Sequence, residues 1–589
     1  MTLEATLAEL KERHGFSDGS IALLQDKGAG LRPEQFEDDL DRLSQALSAE
    51  DKSFLARRRG RSWMDRMLDE GDSPEMTSGR YAKYTDGFEE ISSEQALVQG
   101  RFKLAIEYMI SLGDLVGGKQ AEFMPRPFNE GEKERLRSIY QSFYTKDYVA
   151  FKLLEGWTNH DVVAANTWLT IRAQQLGLDD QLVRKVAHFA LTSADIDTNV
   201  MGELCMKAVG KMTRSLGKLV GLLEKKAKDY AKITCIAETH GQPAQLTTLG
   251  HMYGNLAEQI RLHATPLLGK KKLVLDGKMA GAIGTNVDFK AAFPKVDPRP
   301  MYKDLVERVC GLEYVELGND QDCSNAAFAQ VLDTLANIGS VVQKTAMDTW
   351  LYASHKVIGK KRKRGESGSS AMPQKANPWK AEGAEALQEV FSSMVVPIKK
   401  MVIAYREQGD LRRSIAKREV YHPLMLWTIS VERLVEEMEN YVPNVVGIEQ
   451  AIYQVGPQIA SSALQNYLRG RGVADAYDRV KDVVGQHWVK PVHVERLIKT
   501  FQREGGLSEA DAEYALSMIE AMADTLDAGR KLEAYEDRPE KKGEVVLEMA
   551  KMNRDTRRRA SLLGTAVRDT YRMAERAQHT ITQLERYAS

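Results

Sequence analysis

Cysteine is scarce. Only Cys205, Cys235, Cys310 and Cys323 occur in 589 residues, with no CxxC spacing and no paired histidines, so neither a disulfide framework nor a zinc site is expected. No stretch approaches the roughly 18 apolar residues of a membrane span. The N-terminus, MTLEATLAELKERHG, is charged and amphipathic rather than a secretory leader. These absences lead us to expect a soluble, reducing, cytoplasmic protein with no membrane partner. An excess of one charge is missing too: 82 Lys plus Arg stand against 83 Asp plus Glu, so no nucleic-acid partner is expected. The local run from Lys360 to Arg364 reads as a solvated loop. No GxGxxG or GxxxxGK[ST] follows a plausible strand, and no cofactor or metal is implied.

What is present is helical text. Hydrophobic residues make up 43% of the chain, enough for a large core. Ala96, Phe102, Ile106, Met109 and Ile110 fall on one helical face. Leu204, Ala208, Met212, Leu216, Leu219 and Leu223 recur at steps of four and three, the mark of a long helix buried along one stripe. Further long helices are expected from about 325 to 354 and from about 378 into 396. Strand and helix do not alternate, which excludes an open parallel sheet and points to an all-α helical bundle. The expected divisions are a helical N-terminal extension (1–75), an N-terminal helical domain (76–190) and a central long-helix bundle (191–404). A smaller C-terminal helical domain (405–535) and a basic helical tail (536–589) follow. No convincing internal repeat is found.

Four polar islands interrupt this text. Residues 365–385 read GESGSSAMPQKANPWKAEGAE: the first half has too much Gly and Ser for regular structure, and the second opens a helix. A hydroxyl, the Lys375 ammonium and the Asn377 amide in one short segment suit an anion that forms and vanishes during a reaction. The other islands are Thr158-Asn159-His160-Asp161, Thr192-Ser193-Ala194-Asp195 and Thr239-His240-Gly241-Gln242-Pro243. Singly, each reads best as a surface loop or helix cap. Together, His160, His240 and Ser369 are the residue types needed to abstract a proton beside a carboxylate and protonate a leaving group.

The spaced run Gly368-Ser369-Ser370-x-Met372-Pro373-x-Lys375-x-Asn377-Pro378 resembles the signature loop of the fumarase/aspartase superfamily. ETHGQPAQLTTLGH (238–251), WTNHDV (157–162) and KMAGAIGT (278–285) narrow the resemblance to the adenylosuccinate lyase family, in its bacterial form, over roughly residues 75–535. The resemblance implies a long-helix bundle, no cofactor, and a homotetramer whose sites are shared between subunits at the ends of bundle helices. It implies elimination of fumarate from adenylosuccinate to give AMP, and from the succinylated carboxamide ribotide.

Carried onto matching positions, Ser369 is the base and His240 the acid. The family's substrate-binding positions fall on Arg80, Tyr81, His160, Asp161, Thr192, Ser193, Gln242, Lys278, Gln321, Ser370, Met372, Lys375, Asn377, Ser414 and Arg418. Where the family has an arginine shortly before Ser414, this chain has Gly409 in Gln408-Gly409-Asp410-Leu411-Arg412-Arg413-Ser414; either Arg412 or Arg413 supplies the charge from the other side, or the pocket accepts a related ligand. Competing readings are another fumarate-releasing member, such as an argininosuccinate lyase or aspartase, and an inactive structural relative. The THGQP form of the acid island and the Arg80-Tyr81 pair weigh against the former; retention of Ser369, Lys375, Asn377 and His240 weighs against the latter.

Overall fold

The computed structural model describes residues 78–119, 121–268, 273–361, 371–372, 374–485, 489–519, 544–545 and 560–588. Gly28 to Pro33, Gly71 to Pro74, Ser369 and Ser370 therefore lie outside the described residues.

The described residues are helical almost throughout. In order, the elements that matter are α1 (Glu94–Val116), α2 (Thr145–Thr158), α3 (Asp161–Gln175), α4 (Ser193–Asp229), β1 (Thr234–Thr239), β2 (Gln242–Thr248) and α5 (Leu249–Leu268). They continue with β3 (Asp276–Gly277), β4 (Glu313–Tyr314), α6 (Ala326–Ser354), β5 (Ile358–Lys360), α7 (Trp379–Ile403), α8 (Arg412–Glu419) and α9 (Tyr421–Glu439). The last are β6 (Tyr441–Pro443), α10 (Ser461–Gly470), α11 (Ala476–Val484), α12 (Pro491–Arg503) and α13 (Ala560–Ala588). Among the described residues the strands form only two-stranded pairs: β1 with β2 and β5 with β6 antiparallel, β3 with β4 parallel.

Long helices form where the apolar stripe is unbroken. Along the 37-residue α4, Leu204, Ala208, Met212, Leu216, Leu219 and Leu223 are all buried, as are Ala96, Phe102, Ile106, Met109 and Ile110 on α1. Burying such a stripe, at about 25 cal/mol per Å² of apolar surface, does more to fix these helices than intrinsic propensity does.

Two compact units emerge among the described residues. The first takes the chain up to Met212, Lys272–Asp333 and Val390–Ile429; the second takes Thr213–Lys271, Thr334–Glu389 and Ser430 onward. Helices α4, α6, α7 and α9 contribute residues to both.

In the second unit, α10 to α12 enclose a core of their own around Leu464, Leu468, Val480, Ile498 and Phe501. There too α13 lies along α5: a Cβ at Gly254 would stand 3.0 Å from Met573 Cε, and Arg576 bonds Glu258 at 2.8 Å. All four cysteines are free and buried, and burial pushes each thiol up to about 12.

Lys360 departs from the solvated loop expected of its basic run. It sits in β5 with its side chain 5% exposed, 3.1 Å from the buried Glu437 Oε1. Arg362, Lys363 and Arg364 lie outside the described residues.

Candidate active site

In the first unit, the turn between α2 and α3 carries His160 and Asp161. Asn159 ends α2 in the left-handed region at φ 48°, a conformation asparagine tolerates. His160 then caps α3, its Nδ1 accepting the Val162 N–H at 3.2 Å. With Nδ1 an acceptor, a neutral ring carries its proton on Nε2, leaving a donor on an exposed imidazole.

Asp161 is held by Arg101, whose Nη2 donates to its Oδ2 at 2.7 Å; Arg101 also grips Asp197 at 2.7 and 2.9 Å. Burial would raise the Asp161 carboxyl, but Arg101, the Val162 N–H and Arg418 outweigh it and hold it below the ordinary carboxylate value. Ser414 and Arg418 stand four apart on α8, hence on one face. Arg418 lies 3.8 Å from both Asp161 and Asp197, too far for tight bonds, so its donors remain available. A cavity of about 440 Å³ opens beside them, bordered by Ser92, Arg101, Glu155, Asp161, Arg418 and Tyr421.

Thr192 and Ser193 open α4. The Thr192 N–H donates to Asp195 Oδ2 at 2.9 Å, half of a capping box. Neither hydroxyl has a partner among the described residues, and the two side chains are half-buried at the start of a long helix, where an anion is favoured.

Beneath them Asp195 is fully buried and accepts the Ala280 and Gly281 N–H groups at 2.9 and 3.1 Å. Its Oδ1 lies 2.9 Å from Lys278 Nζ. Lys278 is itself fully buried, bonding the Gly281 carbonyl at 2.9 Å. Expected as a substrate contact, it has no open surface; it supports the Thr192–Ser193 turn instead.

Removing one member of such a pair leaves an uncompensated interior charge. Lys278→Met is expected to lower unfolding stability by about 3–5 kcal/mol, read from denaturant midpoints. An unchanged midpoint would show that the backbone donors around Asp195 hold the carboxylate alone.

Gln321 is half-buried. Its backbone N–H donates to the Gln408 carbonyl at 3.0 Å, and its Oε1 accepts from Arg413 Nη2 at 3.1 Å. Of the two arginines expected to stand in at Gly409, Arg412 is exposed and paired with Asp410 at 2.8 Å, while Arg413 is buried. Arg80 and Tyr81 end a single helical turn, Ser78–Tyr81; Arg80 is exposed and the Tyr81 ring lies 6.3 Å from Tyr84.

In the second unit, His240 and Gln242 belong to a β-hairpin rather than to the helix end that the islands were expected to occupy. His240 and Gly241, at φ 56° and 68°, form the two-residue turn between β1 and β2, the signs of a type I′ turn. Glycine meets that requirement freely and histidine only at some strain, a pattern concentrated at functional positions. The turn holds the imidazole exposed at the tip; Gln242 Nε2 bonds the Gly241 carbonyl at 2.9 Å. At the hairpin's flank His355 Nδ1 lies 3.3 Å from Glu238 Oε2, a pairing the sequence gave no reason to expect.

The same unit carries the flanks of the signature loop. The Lys375 N–H closes a turn on the Met372 carbonyl at 3.0 Å, and both side chains are exposed. Asn377 is half-buried, and its carbonyl accepts from Lys360 Nζ at 3.4 Å. The Lys361 N–H also bonds the Asn440 carbonyl at 2.8 Å, so Lys360, Lys361 and Asn377 are each held by a hydrogen bond on either side of the signature residues.

Among the described residues no cluster of three metal-ligating side chains occurs, and no helix is long and apolar enough to cross a membrane.

Comparison with known proteins adds independent findings. A family model described as lyase matches residues 130–391. The adenylosuccinate lyase of Dictyostelium discoideum is 26% identical over 429 residues, covering 72% of this chain and 90% of the relative. That of Escherichia coli K12 is 23% identical over 407 residues, covering 69% and 87%. Among solved structures, a fumarate lyase from Mesorhizobium sp. BNC1 aligns with TM-score 0.57 at 12% identity, over 83% of this chain and 97% of its own. A β-carboxy-cis,cis-muconate cycloisomerase from Acinetobacter calcoaceticus sp. ADP1 aligns at 0.55 and 16%, over 75% and 96%. At such identities these structures bear on the fold alone.

Proposed function

We propose, from the premise that this chain belongs to the fumarase/aspartase superfamily of lyases, that it eliminates fumarate from adenylosuccinate to give AMP, and from the succinylated carboxamide ribotide. The observation that carries the reading is the run 368–378 in a chain that matches adenylosuccinate lyases along most of their length.

In this reading Ser369 removes the proton beside the succinyl carboxylate. A free hydroxyl is far too weak a base, so the alkoxide needs backbone N–H groups and positive charge around it. Lys375 and Asn377 meet the dianionic carboxylate that develops, where preorganised donors count most, and His240 protonates the departing nitrogen. Thr192 and Ser193 hold a carboxylate at the start of α4. Ser414 and Arg418 receive the nucleotide's anionic end, His160 helps bind that phosphate or orients the acid, and Asp161, fixed by Arg101, is a further substrate contact. Arg80, Tyr81, Gln242, Gln321, Ser370 and Met372 complete the contacts.

The expected assembly is a homotetramer with shared sites. In its support, α6 and α7 expose Met347, Trp350, Leu351, Val390, Val396 and Ile403, apolar surface suited to a second copy of the chain. An active monomer by sedimentation would contradict it.

The test is absorbance-monitored turnover of the purified protein. Adenylosuccinate should yield AMP and fumarate in equal amounts. Fumarate released from argininosuccinate or aspartate, but not from adenylosuccinate, would overturn the assignment in favour of another superfamily member; release from none would favour an inactive relative.

A further inference from the structure

Gly409 leaves a space that two side chains fill. A Cβ there would stand 2.5 Å from Gln321 Oε1, 2.6 Å from Arg413 Nη2 and 2.9 Å from Gln321 Cβ. Any other residue would push apart the bond between Arg413 and Gln321.

Arg413 is 3% exposed, its guanidinium stacked 4.2 Å from the Tyr405 ring centroid. Tyr405 is pinned in turn by its hydroxyl on Asp320 Oδ2 at 2.9 Å. Of the Arg413 nitrogens, Nε and Nη1 have no hydrogen-bond partner among the described residues, and Nη1 stays 4.0 Å from Asp322. Asp322 has closer partners than Arg413: it accepts from Thr198 Oγ1 at 2.7 Å and Lys417 Nζ at 2.8 Å. Among the described residues, the one hydrogen bond that the Arg413 side chain donates goes to Gln321 Oε1.

A guanidinium has donors only. The Gln321 amide must therefore keep its oxygen toward Arg413, since the flipped amide would set donor against donor. That leaves the Gln321 NH2 group facing away, with no partner among the described residues on a half-buried side chain.

We propose that Arg413 is a positioning residue: it locks the Gln321 amide with its NH2 outward, as a donor for an anionic oxygen of the substrate. This rests on the reading of Gln321 as a substrate contact in the proposed lyase. The anionic oxygen belongs either to the nucleotide phosphate or to the succinyl group.

The test compares full-length wild type with Gln321→Glu, Arg413→Lys and Arg413→Met, measuring kcat, KM, melting temperature, and inhibition by AMP and by succinate. Glutamate strengthens the pair with Arg413 but turns an acceptor toward the substrate, so KM should rise about tenfold or more, the scale of one lost hydrogen bond to a charged group, with no fall in melting temperature. A merely structural pair predicts the reverse: a glutamate variant that binds normally. Lysine, also a pure donor, should stay within about threefold of wild type; methionine should raise KM about tenfold with a smaller change in kcat.

Weakened inhibition by AMP places the oxygen on the phosphate; weakened inhibition by succinate places it on the succinyl group. Either supports the inference. Unchanged KM and inhibition in Gln321→Glu, or a lysine variant as impaired as methionine, overturns it while leaving the lyase assignment intact. A wild type without turnover on adenylosuccinate overturns both.

Discussion

Ser369→Ala is expected to lower kcat by roughly 100- to 10,000-fold or more, the range for loss of a general base. The substitution removes one oxygen and nothing larger. The loop's ends should keep their places, because Lys360 grips the Asn377 carbonyl and Glu437, and β5 pairs with β6. Substrate binding and melting temperature should therefore hold while turnover collapses. The check is kcat against KM in the same preparation, with fumarate release as readout. A variant that keeps near-normal kcat would remove Ser369 from the reaction and leave the loop a binding element only.

His240→Gln is the second large effect, with an expected loss in the same range. Glutamine preserves a polar side chain at the hairpin tip and faces the same left-handed backbone, φ 56°, that histidine does, so folding cost largely cancels between the two. What it lacks is a group able to give up a proton near neutral pH. Base and acid serve two halves of one elimination, so the double variant should be little worse than the poorer single one. Multiplicative losses would mean that the two residues act in separate steps, and undiminished turnover in His240→Gln would assign the acid elsewhere. His355, on Glu238 of the same strand as the turn, would be the first alternative to examine.

The elements legible in the sequence were those whose signal is periodic and long. The stripe from Leu204 to Leu223 gave α4, and α6 and α7 begin within a residue or so of their expected starts. The β1–β2 hairpin was not read, because residues 238–243 carry the polar character of a loop and only the flanking Cys235, Ile236, Leu246 and Thr247 favour strands. His240-Gly241 was the available clue, since glycine in a two-residue break suits a type I′ turn.

At the site, residue types were visible and environments were not. Nothing in KMAGAIGT announces that Lys278 is sealed on Asp195, because a buried lysine's partner lies 83 positions away in sequence. Arg101, which fixes Asp161, sits in an otherwise ordinary amphipathic helix. Lys360 was misplaced for the same reason: a basic run suggests solvent, and only the fold reveals Glu437 beneath it.

The four interior thiols make the protein its own clock. Thiolate, not thiol, attacks a disulfide reagent, and each sulfur here is both enclosed and held protonated well past neutral pH. Aromatic disulfides added to the native protein should stay colourless until a segment opens, and the yellow that follows counts openings rather than collisions. Cys205, Cys310 and Cys323 time the first unit and Cys235 the second, so the order in which they release colour ranks which part of the bundle breathes first.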